Sequence, residues 1–234
     1  MIEVHTWPTP NGHKIHIMLE ETGLEYTVRP VNIRTGEQFK PEFLRISPNN
    51  KIPAIVDHDG PDGKPISVFE SGAILIYLAA KTGRFLPRDD RGKYVVLQWL
   101  MFQMGSVGPM VGQAGHFRSN AVPERIDYAI NRYTNEVKRL HGVMEKRLSE
   151  ASYFAGSEYS IADIAIFPWL RASERNGIQW EEFPKVKKWF DGIAARSAVQ
   201  RALTVLADAQ TTPPGQYDPK AREVLFGSTQ YQRH

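Results

Sequence analysis

Cysteine is missing from all 234 residues. Its absence excludes disulfide staples, zinc–thiolate sites and a cysteine nucleophile, and it favours no oxidising compartment. Long apolar runs are missing as well. The longest clean one, Ala73 to Ala80, falls far short of the ~20 residues that a membrane-spanning helix needs. The opening Met1-Ile2-Glu3-Val4-His5 carries no basic stretch followed by an apolar core, so the expected location is cytoplasmic, with no membrane partner. Charge of one sign is scarce too: the net charge is +3, from 9 basic and 10 acidic side chains over residues 1–84 and 17 and 13 over residues 85–206. Because bases and acids are interspersed, nucleic acid is not the expected partner despite a pI near 9.0, and an anionic small molecule fits better. The seven histidines show no metal spacing. His13 and His16 lie one turn apart without a carboxylate or third ligand nearby, so they are expected to be solvated or packed, and no metal is expected.

What is present is apolar material, 41% hydrophobic and 11% aromatic, enough for one large core or two moderate ones. Ile2 to Trp7 alternates at period two, and Gly12 to Thr22 places Ile15, Met18 and Leu19 on one helical face before a stop at Gly23. Glu25 to Val31 reads as a second strand and Pro41 to Ile46 as a short helix. Ala54 to Asp57 and Ile66 to Phe69 read as two strands around an Asp59–Gly63 turn, and Ser71 to Thr82 as a closing helix. The order βαβαββα is that of a thioredoxin-like half domain. Strand signals stop there. We therefore divide the chain into residues 1–84, a linker at 85–92, an all-α helical bundle at 93–206 and a tail at 207–234. Tyr94 to Met104, apolar nearly all round, is expected to be a central helix of the bundle. From Pro123, the positions Ile126, Ile130, Tyr133, Val137, Leu140, Met144 and Leu148 step by threes and fours along one long amphipathic helix. The polar run Thr211-Thr212-Pro213-Pro214-Gly215 opens a tail that is either disordered or laid across the surface.

Three segments and two single side chains can carry chemistry. In Thr9-Pro10-Asn11-Gly12 the free N–H groups of a helix start, its positive dipole end and two polar side chains converge on one spot, which suits an anion such as a thiolate. The same residues also suit plain capping by Asn11 with Thr9 a turn residue. Ile52-Pro53, just before a strand, is where a thioredoxin-like fold carries a cis proline, leaving the backbone of Ile52 free to pair with an extended peptide. Glu70-Ser71-Gly72 offers an acid for an ammonium and a hydroxyl with helix-start N–H groups for a carboxylate, or simple capping by Ser71 beside a solvated Glu70. Gln38 and Lys51 are further polar candidates, or surface side chains. Ser160-Ile161-Ala162-Asp163 reads as a structural capping box rather than a catalytic feature.

Taken together, Thr9-Pro10-Asn11-Gly12-His13-Lys14, Ser47 to Ile55 and Phe69 to Ile74 resemble the cytosolic glutathione transferases, and within them the bacterial Nu-class glutathione-dependent disulfide-bond oxidoreductases. The likeness covers about residues 1–206, the Ser160–Pro168 segment included. It implies a homodimer that binds two glutathiones, or their disulfide, in each site. It also implies roles: Thr9 and Asn11 at the glutathione sulfur, Ile52 and Pro53 at the cysteinyl backbone, Gln38 and Lys51 at the glycyl end, Glu70 and Ser71 at the γ-glutamyl group. Arg132 is implied on the helical side of the pocket. The expected activity is disulfide reduction with glutathione as co-substrate and no protein sulfur, with weak transferase or peroxidase activity beside it. Thr6 and Trp7 stand where many other classes carry a tyrosine. A conjugating transferase and a non-catalytic glutathione-binding regulator remain alternatives. Conjugation would need an apolar subsite, for which Met101, Met104, Val107, Met110 and Phe117 are candidates, as they are for core packing.

Overall fold

The computed structural model describes residues 1–122, 124–209, 213 and 215–232. Four strands, β1 (Ile2–Thr6), β2 (Tyr26–Pro30), β3 (Ala54–Asp57) and β4 (Ile66–Phe69), form one mixed sheet in the order β2-β1-β3-β4. β1 runs parallel to β2 and antiparallel to β3, and β3 antiparallel to β4, with Val4 opposite both Val28 and Ile55. This register turns Ile2, Val4 and Ile55 into one buried face. The first strand stops at Thr6, one residue short of the expected Trp7.

Helices α1 (Pro10–Thr22) and α3 (Ser71–Thr82) cover that face, packing against each other, and α1 ends on Gly23 in the left-handed region at φ +72°. The short α2 (Pro41–Leu44) roofs a second small cluster of Val31, Phe43 and Ala54. The structure is therefore a thioredoxin-like α/β half followed by a half whose elements, among the described residues, are helices apart from one isolated bridge between Tyr153 and Gly156.

These helices are α4 (Asp90–Phe102), α5 (Gly108–Arg118), α6 (Asp127–Glu150), α7 (Ile161–Leu170), α8 (Pro184–Ala194), α9 (Ser197–Thr204) and α10 (Pro219–Phe226). A π-helical turn, Gln103–Val107, joins α4 to α5. The expectation that Tyr94 to Met104 is a central helix is corrected: only Val96 and Leu100 of α4 are buried, while Tyr94 and Met101 face outward. The central element is α7, in which every residue but Trp169 is buried. Its capping box forms as the sequence indicated. Asp163 accepts from the backbone N–H of Phe154 and Ser160, the Ser160 hydroxyl and the Trp189 indole. Burial raises the Asp163 carboxyl to about 6. The long amphipathic helix is α6, with Ile130, Val137, Leu140, Met144 and Leu148 buried and Ile126 left exposed before its first turn. Its expected beginning at Pro123 lies outside the described residues.

One hydrophobic core runs without a break from Ile2, Ile15, Met18 and Leu75 into Leu100, Phe154, Ile164 and Phe167. Helix α1 touches α7 and α9 as well as α3, so the two halves share a core rather than meeting at a polar seam. The tail from 215 to 232 does not leave this body. Arg34 donates to the carbonyl of Gln216, Asn120 exchanges two hydrogen bonds with the backbone of Tyr217, and the Phe226 ring sits 4.7 Å from that of His116. Of the tail's opening polar run, Thr211, Thr212 and Pro214 lie outside the described residues.

Candidate active site

The start of α1 is built by Thr9 rather than Asn11, which corrects the capping alternative. Thr9 is the extended residue before the helix, and its hydroxyl oxygen accepts from the Gly12 N–H at 3.3 Å. With that lone pair engaged, the hydroxyl proton is free to donate outward. Asn11 is held otherwise: its Oδ1 accepts from the Trp169 indole N–H at 3.1 Å, which leaves the amide NH2 as the free face. A hydroxyl and an amide donor at the positive end of a 13-residue helix form a spot suited to an anion. Gly12 makes this turn possible. A Cβ there would stand 2.2 Å from the carbonyl oxygen of Trp7 and 2.7 Å from the Thr6 hydroxyl.

Thr9, Pro10 and Asn11 open onto a cavity of about 260 Å³ whose opposite wall holds Gln38, Lys51 and Ile52. The Ile52–Pro53 peptide is cis. Gln38 is buried, its Nε2 donates to the carbonyl of Ile33 at 3.1 Å, and its Oε1 has no partner. Lys51 reaches Gln230 of the tail, whose Oε1 accepts at 2.8 Å, and Leu225 and Phe226 complete the roof. A second cavity of about 540 Å³ shares Thr9, Pro10 and Phe226 and is flanked by Arg34 and Arg175.

Glu70 and Ser71 stand at the head of α3 and line neither of these cavities. Here too the expected capping differs: Glu70 is the residue before the helix, at φ +70° and ψ 115°, and makes no side-chain cap, while Ser71 is the first helical residue. A non-glycine residue held at positive φ is a local strain of the kind that clusters at ligand sites. Glu70 accepts from the Asn49 side chain at 3.3 Å. Ser71 is buried, and its hydroxyl accepts from Lys14 at 3.1 Å.

Arg132 lies on α6 with its side chain exposed, 3.9 Å from Glu136, and does not line either cavity. The apolar candidates for a second subsite do not converge. Met101 points outward, Val107 is fully buried, Met104 lies against Lys14 and Ser71, and Phe117 stacks on Tyr133 at 5.5 Å. His13 and His16 are buried packing residues: His13 accepts from Arg171 and is pushed down to about 3 by desolvation, and His16 meets the Thr6 hydroxyl and falls to about 4 for the same reason.

Sequence reasoning passed over Trp169, Lys14, Gln103 and the tail residues Phe226 and Gln230. A signal existed for Lys14, which falls one helical turn before Met18 on the apolar stripe of α1. Trp169 directly follows the singled-out Ser160–Pro168 segment, but nothing in its neighbours says what its indole meets. The tail contacts are long-range and leave no local pattern.

Residues 1–80 match the glutathione S-transferase N-terminal domain model and residues 124–197 the glutathione S-transferase C-terminal domain model. The chain belongs to the glutathione transferase family. It is 52% identical over 204 residues to the disulfide-bond oxidoreductase YfcG of Escherichia coli (strain K12), spanning 87% of this chain and 94% of that protein. Among solved structures it is similar to a glutathione transferase family member from Pseudomonas fluorescens pf-5 with two glutathiones bound, at 48% identity and a TM-score of 0.82, over 86% of this chain and 92% of that one. A glutathione transferase from Pseudomonas putida with one glutathione disulfide bound per subunit matches at 45% identity and a TM-score of 0.83, over 87% and 91%.

Proposed function

We propose that this protein is a glutathione-dependent disulfide-bond reductase of the Nu class that works with two bound glutathiones. The observation that carries the reading is the pair of outward donors, Thr9 hydroxyl and Asn11 amide, at the head of α1 in a chain with no thiol of its own. A free thiol of pKa ~8.5 is only a few per cent ionised at neutral pH, and two donors plus the helix dipole shift that balance toward thiolate. In the first step the thiolate of one glutathione attacks a sulfur of the substrate disulfide. A glutathione mixed disulfide forms, and the departing thiolate takes a proton from solvent. The thiolate of a second glutathione then attacks the glutathione sulfur of that mixed disulfide, giving glutathione disulfide and the second free thiol. The protein supplies alignment and charge stabilisation throughout.

In this reading Ile52, beside cis Pro53, pairs with the cysteinyl backbone, Gln38 and Lys51 hold the glycyl end, and Glu70 and Ser71 hold the γ-glutamyl group. The ammonium of Lys51 suits the glycyl carboxylate, and the orphaned, buried Oε1 of Gln38 on the same cavity can accept from the glycyl amide N–H. Arg132, which lines neither cavity, is assigned to the second glutathione on the family resemblance, and Arg34 and Arg175 add cationic groups at the adjoining cavity. The reading divides the chain at residues 85–92 and includes a homodimer, supported by the exposed Tyr94 and Met101 on the outer face of α4.

The test is a side-by-side assay of the purified protein with glutathione against 2-hydroxyethyl disulfide and against a chlorinated nitroarene. Accelerated disulfide reduction that survives pretreatment with a thiol-alkylating reagent is expected. Conjugation of the arene without disulfide reduction would overturn the proposal.

A further inference from the structure

Lys14 is a charged residue in the wrong place for a structural one. It is 1% exposed, and its ammonium contacts only uncharged groups: Ser71 Oγ at 3.1 Å, Gln103 Oε1 at 2.5 Å and Met104 Sδ at 3.4 Å. Among the described residues no carboxylate lies within ion-pair distance of it, although a buried ammonium without a counter-ion is among the costliest arrangements in a protein interior. Beside it the Nε2 of Gln103 is also fully buried and unpartnered, inside the π-helical turn. Three segments, α1, α3 and this turn, thus converge on a buried cation directly beneath the first hydroxyl of α3. Since Ser71 Oγ accepts from Lys14, its proton points away, toward the Met104 sulfur or toward a ligand at the helix head.

We propose that Lys14 is the buried counter-charge of the γ-glutamyl subsite, a positioning residue that takes up a proton when a carboxylate docks on Ser71 at the head of α3. The proposal rests on the glutathione reading above. Without ligand, burial holds the ammonium down to about 7, with Glu70 the opposing charge. The other charged or titratable groups around it are already engaged. On α1, His13 and His16 are both held neutral by desolvation, His13 beside Arg171 and His16 at Thr6; Arg196 after α8 and Arg201 on α9 are paired with Glu21 and Glu20. At the head of α3, Glu70 is bonded to Asn49. The π-helical turn offers only the neutral Gln103 and Met104. An arriving carboxylate is therefore the missing partner, and it raises the titration of Lys14 when it binds. By linkage, a rise of ~1–2 pH units makes binding ~5- to 10-fold weaker at pH 8 than at pH 6, with uptake of roughly half a proton or more per site at pH 8 and almost none at pH 6.

The probe is S-methylglutathione, which has no thiol to ionise, titrated calorimetrically into the full-length protein in buffers of different ionisation enthalpy. The expected result is that proton uptake at pH 8, together with the loss of affinity from pH 6 to pH 8. Lys14→Met, a near-isosteric change that removes a buried charge, should abolish both while weakening binding at pH 6 by about tenfold or more. Binding by the wild type without proton exchange at pH 8 overturns the role of Lys14 and leaves the glutathione reading standing. So does a Lys14→Met variant that keeps the pH dependence. No binding of S-methylglutathione at either pH overturns both.

Discussion

Replacing Trp169 by Phe tests the active-site argument with one atom. The indole N–H donates to Asn11 Oδ1 at 3.1 Å, and the ring packs beside Gly112, where even a Cβ would lie 3.5 Å from it. Phe keeps most of that packing and removes the donor. A neutral hydrogen bond is worth about 1 kcal/mol net, so the Asn11 amide loses roughly that much preference for turning its NH2 toward the cavity. Turnover should fall about fivefold and the titration of the bound glutathione thiol should move up by a little under one pH unit, with half-saturation for glutathione nearly unchanged. Asn11→Ala removes the donor itself. A preorganised donor to a developing or bound anion is worth about 10- to 1,000-fold in rate, ~1.4–4 kcal/mol. Because Trp169 acts through Asn11, the double variant should be no slower than Asn11→Ala alone. Rates, ultraviolet absorbance of the bound thiolate against pH, and thermal melting as a folding control complete the cycle. If the two effects multiply in the double variant, or Trp169→Phe slows turnover with the thiol titration unmoved, Trp169 is packing only and the orientation argument is wrong.

Four further outcomes are expected. Gly12→Ala should cost about 3 kcal/mol or more in urea unfolding, because the new methyl meets the backbone oxygen of Trp7 rather than a side chain that can move; a loss below 1 kcal/mol would show that the turn can yield. Asp163→Ala should destabilise by at least about 3 kcal/mol, since four donors lose one acceptor, and a near-neutral change in the melting curve would contradict this. Arg132→Ala should raise the glutathione concentration needed for half-maximal rate with little effect on stability, and wild-type kinetics would assign it to the solvated face of α6. Lys51→Ala should weaken glutathione binding about tenfold while Gln230→Ala tightens it slightly by freeing the ammonium; equal losses in both would mean that the tail contact supports the site rather than competing for Lys51.

Much of the fold is legible where periodicity is local. The βαβαββα order follows from alternation in Ile2 to Trp7 and from the stop at Gly23, which takes up left-handed backbone. The capping box at Ser160 is a four-residue signal and forms as read. Tyr94 to Met104 misleads because an apolar composition does not say which side meets a neighbour; α4 exposes Tyr94 and Met101, and the more uniformly apolar α7 takes the centre. At the site, the sequence brings out Thr9, Asn11, Gln38, Lys51 and Ile52, and the structure gathers them around one cavity. It does not tell Thr9 from Asn11 as the cap, since both residue types cap well and the choice turns on φ at one position. The partners that orient these side chains, Trp169 across the domain boundary and Gln230 on the tail, lie 158 and 179 residues away in the chain, beyond the reach of any local pattern.

The unbroken core between the halves has a consequence for cooperativity. Thr9 and Asn11 sit at the head of α1, whose flank packs on α7 and α9, so the element that positions them is folded by residues more than a hundred positions downstream. A chain cut after Thr82 would leave α1 and α3 holding an uncovered apolar surface, with Asn11 bereft of Trp169 and Lys14 of Gln103. The thioredoxin-like half is thus no autonomous module. It is expected to melt with its helical half in one calorimetric transition, and a substitution deep in α7 to shift Thr9 and Asn11 through the same packing that holds the protein together.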